Sequence, residues 1–268
     1  MNRYRIKLTL TEELPQDLIE KRLIYEGTEI IVTTDRNSRS LEISPIQAID
    51  HRIAERVARR ALNNLLNYFA AIVQFRGILK SGYQYENLDN QGDRGIVITP
   101  GLVMDYGSKV ELPDGFSLSL ELKAAAFFRR GDSSSDTFDR FRNYYLAVDA
   151  VGKTLCPSGK DSTLILDTIG KVAPVHVLLD LDERVRTIVA DPSHSATPSE
   201  HLNKFLYESY RCALMHSGSL TDFTPFDPDD ESKVLQVLNI MRGVAWQYVK
   251  HERLLALGMS NNRLQTTV

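Results

Sequence analysis

The stretch Leu206-Tyr-Glu-Ser-Tyr-Arg-Cys-Ala-Leu-Met-His-Ser-Gly218 decides how the second half of this chain is read. It has the texture of a helix that begins at Glu200 and stops at Ser217-Gly218, and it carries Arg211 and His216 separated by four residues. A histidine titrates near neutrality and exchanges protons with a hydroxyl or a leaving oxygen. An arginine grips a phosphate through a planar fork. On an ideal helix five residues advance about 140° past a whole turn. Arg211 and His216 therefore share a face only if the last turn loosens, which Gly218 as a C-cap permits. The plain alternative is an arginine on the helix side and a histidine meeting the negative end of the dipole.

Working outward, the flanking sequence is helical. Phe138, Phe141, Tyr145, Val148, Gly152 and Leu155 keep helical spacing from a start near Asp136 to Cys156-Pro-Ser-Gly159. Val175-His-Val-Leu-Leu179 suits a helix or a strand. The polar run 191–199 reads as a loop, with Ser199 placed to cap the helix from Glu200. A last helix begins near Asp229-Asp-Glu231, where acidic groups suit the dipole, and runs to about Leu257.

Upstream the period changes. Residues 3–10 alternate as strands do, 29–34 form a β-rich run, and Ile49, Ile53, Val57, Ala61, Leu65, Phe69 and Val73 form the stripe of one long amphipathic helix. Further strands are expected at 94–99, 108–112 and 116–122. The turn-rich Arg129-Arg-Gly-Asp-Ser-Ser-Ser135 separates the two styles. The fold class expected is α+β: a mixed domain over 1–132, a helical domain over 133–260 and a loose tail over 261–268.

The chain has 268 residues, 43% hydrophobic and 25% charged, with a formal net charge of -3. That composition supports packed cores and gives no overall basic field for nucleic acid, so any such contact must be local. Cys156 and Cys212 form no CxxC pattern, which fits a reducing compartment. No signal-like apolar start and no membrane-length apolar run is present, so a soluble cytoplasmic protein with no membrane contact is expected.

Other signals fail on spacing. Pro157-Ser-Gly-Lys160 has Thr154 where a phosphate loop needs glycine, and Asp161 where it needs a hydroxyl. Asp180-Leu-Asp182 lacks the glycine and distal glutamate of a calcium loop. The six histidines show no ligand spacing, so no metal and no cofactor is expected. Arg52, Arg56, Arg59 and Arg60 suit either a phosphate-gripping strip or an ordinary solvated helix face. Tyr83 and Tyr85 near Lys80 could stack bases, although loop or core tyrosines are the commoner case.

The helices Phe138–Val151 and Leu206–Gly218, with Arg211 and His216 matching R-x(4–6)-H near a helix end, resemble the HEPN superfamily, in its Apea-like and methylamine-utilisation branches. The resemblance covers about residues 136–257 and none of the first half. It implies a short helical bundle, often a homodimer, that is a metal-independent endoribonuclease or an inactive relative, in a defence or stress-response setting. His216 would then act as general acid or base, Arg211 would stabilise the transition state, and Asp149 matches an acidic position that orients either one. Cys212 departs from the pattern, since active members often carry a polar residue there. The rival expectation is a non-catalytic dimerisation or protein-interaction module in which Asp149 merely anchors Arg211.

Overall fold

The computed structural model describes residues 1–14, 18, 20–34, 39–90, 92–97, 121–188, 197–215 and 228–257. It divides into two compact units, Met1–Glu121 and Leu122–Val268. The strands expected at 108–112 and 116–122 lie almost wholly outside the described residues, as does the tail over 261–268.

The first unit is an antiparallel sheet with a helix on one face. Its strands are β1 (Asn2–Leu10), β2 (Lys21–Tyr25), β3 (Thr28–Thr34), β4 (Ser40–Ala48), β5 (Leu79–Asn87) and β6 (Arg94–Val97), in the order β2-β3-β4-β1-β5-β6. Alternation puts Tyr4, Ile6, Leu8 and Leu10 of the central β1 into the core. On its other face Arg5 pairs across the ladder with Glu42 at 3.1 Å and Glu86 at 2.6 Å. Glu26 and Gly27 both take positive φ, 47° and 76°, as a two-residue hairpin between β2 and β3 requires.

The helix α1 (His51–Val73) is capped by Asp50, which accepts from the Ile53 amide at 2.8 Å. It packs on β4, β5 and β1. Its buried stripe is shifted from the one expected: Ala54, Ala58, Ala61, Leu62, Leu65 and Phe69 are fully covered, while Ile49, ahead of the cap, is 66% exposed. Small alanines let the first turns of the helix approach the sheet closely. Arg52, Arg56 and Arg60 are exposed, whereas Arg59 bonds Glu55 and donates to the Lys80 carbonyl at 2.8 Å. Tyr83 and Tyr85 are half-buried. His51 stacks on Tyr85 at 4.0 Å between centroids, and its Nδ1 lies 3.0 Å from the Tyr83 hydroxyl.

The second unit is helical throughout its described residues. Its elements are α2 (Lys123–Ser133), α3 (Thr137–Leu155), a 3₁₀ turn (Asp161–Thr163), α4 (Leu164–Val172), α5 (Val175–Ile188), α6 (Pro198–Asn203), a π-helical segment (Lys204–Arg211), α7 (Cys212–Met215) and α8 (Pro228–Ala256). Asp136 caps α3 as expected, and 175–188 resolves to helix. The cap of α6 is Thr197 and not Ser199. Thr197 accepts from the Glu200 amide, and Glu200 accepts from the Thr197 amide, a reciprocal box that leaves Pro198 at the first helical position.

Residues 123–132, expected to close the first domain, belong with Ser133 to α2, packed on α3 and α8, and the second compact unit begins at Leu122. No local side chain caps α2. Its free amides are taken by Glu252 of α8, which accepts from Ala124 at 3.0 Å and Ala125 at 3.1 Å. At the other end, Asp132 accepts two bonds from Arg242 of α8, at 2.7 and 2.8 Å, and one from the Tyr144 hydroxyl of α3. Gly131 permits this, since a Cβ there would come within 2.7 Å of the Tyr144 ring. No helix among the described residues is long and apolar enough to cross a membrane.

Removing the Asp132 carboxylate takes from Arg242 both of its hydrogen bonds to α2 and from the buried Tyr144 hydroxyl its acceptor. Asp132→Ala should cost about 3 kcal/mol of stability in urea titrations. Burial raises the Glu252 carboxyl above the ordinary glutamate value of 4.5, against the pull of the Ala124 and Ala125 amides. The folded state thus holds the proton more tightly than the unfolded one. Its contribution is fullest below pH 4.5 and declines as pH rises above it. Stability measured from pH 4 upward should show that decline in wild type and lack it in Glu252→Gln.

Candidate functional site

The helix α3 places Tyr145, Asp149 and Lys153 one turn apart on a single face. The π-helical segment supplies Tyr207 and Arg211 beside it. The segment is wider than an α-helix because its amides reach back five residues, as the Cys212 amide does to the Tyr207 carbonyl. Tyr207 and Arg211, four residues apart, are neighbours on its surface. The Arg211 guanidinium carbon lies 5.2 Å from the Tyr207 ring centroid and 5.7 Å from that of Tyr145, and the side chain is 15% exposed. A guanidinium over aromatic faces is held there by cation–π attraction.

An acidic neighbour is Asp161, on the 3₁₀ turn after α3. Arg211 Nη2 is 3.6 Å from Asp161 Oδ2, longer than a direct hydrogen bond. Asp161 Oδ1 is also 3.6 Å from Lys153 Nζ, and Lys153 in turn sits 3.1 Å from Asp149 Oδ2. At i and i+4 on one helix, Asp149 and Lys153 pair with each other, and Asp149 is linked to Arg211 through the chain Lys153–Asp161. Asp149 first, and Asp161 second, hold the Lys153 ammonium above the usual lysine range.

Beneath the guanidinium, Tyr145 is 4% exposed, and its buried hydroxyl has no hydrogen-bond partner among the described residues. Burial raises the Tyr145 phenol far above its ordinary value, with Arg211 pulling the other way. Tyr207 is raised by burial and then by the neighbouring Cys212 thiol, again opposed by Arg211. Both cysteines are free and half-buried. Among the described residues, no group of three or more His, Cys, Asp and Glu side chains is arranged to hold a metal ion.

His216, Ser217 and Gly218 lie outside the described residues, so the loosening expected at Gly218 does too. The departure from α-helical geometry that is described lies earlier, at Lys204–Arg211. Tyr145, Lys153, Asp161 and Tyr207 are site residues that sequence reasoning misses. Tyr145 falls in the apolar stripe of its helix, and the spacing Tyr-x3-Asp-x3-Lys on α3 is the available signal.

Tyr145→Phe deletes only the unsatisfied hydroxyl. It should leave stability unchanged or raise it by up to about 1 kcal/mol, whereas Tyr145→Ala should cost about 3–5 kcal/mol, both read by denaturant unfolding.

Comparison with curated proteins and with solved structures gives no significant match. The family model described as "Methylamine utilization protein MauJ" matches residues 124–250, just under half of the chain and wholly inside the second unit, with α2 included.

Proposed function

We infer that the second unit is a HEPN-like module that acts on RNA through Arg211 and His216, as a metal-independent endoribonuclease assembled as a homodimer of its helical region. The observation that carries this reading is the setting of Arg211. Its guanidinium lies over two tyrosine rings at the end of the widened segment, and α7 leads from there directly to His216. The family match over 124–250 supports the HEPN-like assignment. In this chemistry the ribose 2′-hydroxyl attacks the adjacent phosphorus and the bond to the 5′-oxygen breaks, leaving a 2′,3′-cyclic phosphate and a 5′-hydroxyl. His216 takes the proton of the attacking hydroxyl or supplies one to the leaving oxygen. Arg211 binds the non-bridging oxygens as their charge grows.

A second reading has its own support. Arg211 is mostly covered and packed on Tyr145 and Tyr207, as it would be if it only held helices together in a non-catalytic dimerisation or interaction module.

The two are separated by incubating wild type, Arg211→Ala and His216→Ala with structured and single-stranded RNAs in EDTA, after confirming that all three are folded and elute alike at the assay temperature and recording their unfolding curves. The nuclease reading expects cleavage by wild type alone, with cyclic phosphate ends and a loss of at least about a hundredfold in each variant. Equal behaviour of the three proteins, with Arg211→Ala less stable, supports the interaction module.

A further inference from the structure

Asp161 occupies an unusual position for a surface carboxylate. Its two oxygens face two different cations, Arg211 and Lys153, each at 3.6 Å, and its side chain is 47% exposed. This is the arrangement a phosphate takes between two basic groups, with one oxygen toward each. Both contacts are longer than hydrogen bonds, so charge holds the carboxylate while the short-range component of a tight pair is missing. We propose that Arg211 and Lys153 form a two-cation site for a phosphate group, and that Asp161 keeps it closed by occupying the place of that phosphate.

The charge balance favours exchange. Asp161 is the negative charge that Arg211 and Lys153 share. When it turns out to solvent that shared charge is lost, and an incoming phosphate restores it. Asp149 stays 3.1 Å from Lys153 and holds it in its place on α3. Arg211 is preset by Tyr145 and Tyr207, so the arginine gives up little conformational freedom on binding. Asp161 itself sits on a single 3₁₀ turn, Asp161–Thr163, with Lys160 and Gly159 ahead of it, and its departure disrupts no helix. A carboxylate at this point thus competes with substrate and sets the affinity of the site. As a reading of substrate regulation this rests on the RNA function proposed above, but the phosphate site itself is tested without RNA.

The full chain is unfolded thermally against increasing inorganic phosphate at constant ionic strength, for wild type, Asp161→Asn and Asp161→Asn/Lys153→Gln. Lys153 is 54% exposed and Asp161 is 47% exposed, so these variants should fold. Asp161→Asn should bind phosphate about threefold to fivefold more tightly than wild type, the range expected for losing one exposed ion-pair competitor. The added Lys153→Gln should abolish that gain. The same phosphate dependence in wild type and Asp161→Asn, or a gain that survives Lys153→Gln, would overturn the proposal. Because this readout contains no RNA, a protein that binds phosphate but cleaves nothing counts against the nuclease reading alone.

Discussion

The helical unit depends on one buried carboxylate. Asp132 accepts hydrogen bonds from Arg242 of α8 and Tyr144 of α3 while itself belonging to α2, so three helices meet at one group. Burial alone would lower the Arg242 guanidinium, but its bonds to Asp132 outweigh that and raise it. The guanidinium also lies over the Phe128 ring, 5.0 Å from its centroid. A buried pair of this kind adds less net stability than its bonds suggest, because both charges must be desolvated. Its value lies in direction: few other arrangements satisfy all three groups. Tyr144 and Tyr145 are neighbours on α3, one joined to Asp132 and the other under Arg211. The same restraint that sets the core therefore sets the rotation of α3 and the floor of the candidate site.

Local pattern makes much of this visible in the sequence. The alternation of β1, the long α1, the cap of α3 at Asp136 and the final α8 all arise from side chains close in sequence. The elements that escape such a reading depend on partners far away. The helix α2 looks like a turn because its amides are capped by Glu252, 128 residues from Ala124. Its Gly131 and Asp132, turn formers by type, are instead a close contact and a buried acceptor. β4 and β5 escape it too, and both pair with β1 in the middle of the sheet.

At the candidate site, Arg211 is legible as a chemical group, and the family match over 124–250 is compatible with the resemblance seen around it. Its surroundings are not. Helical periodicity assumes a constant turn, and Lys204–Arg211 does not keep one. The aromatic faces that hold Arg211 come from two elements, α3 and the π-helical segment, and the carboxylate beside it comes from a third, the turn at Asp161. The expectation for Asp149 rests on the family resemblance, and in the structure its carboxylate pairs with Lys153 one turn along α3.

The widened segment makes the site tolerant of a change in chain length. A π turn holds one residue more than the α turn it replaces. Losing a single residue between Lys204 and Tyr210 would let the backbone relax to regular α-helix while the downstream residues keep their orientation, because the wide turn absorbs the rotation of roughly 100° that one extra residue brings. Arg211 would stay over the rings of Tyr145 and Tyr207. A relative one residue shorter here would thus keep the site, with its alignment gap falling inside the wide turn.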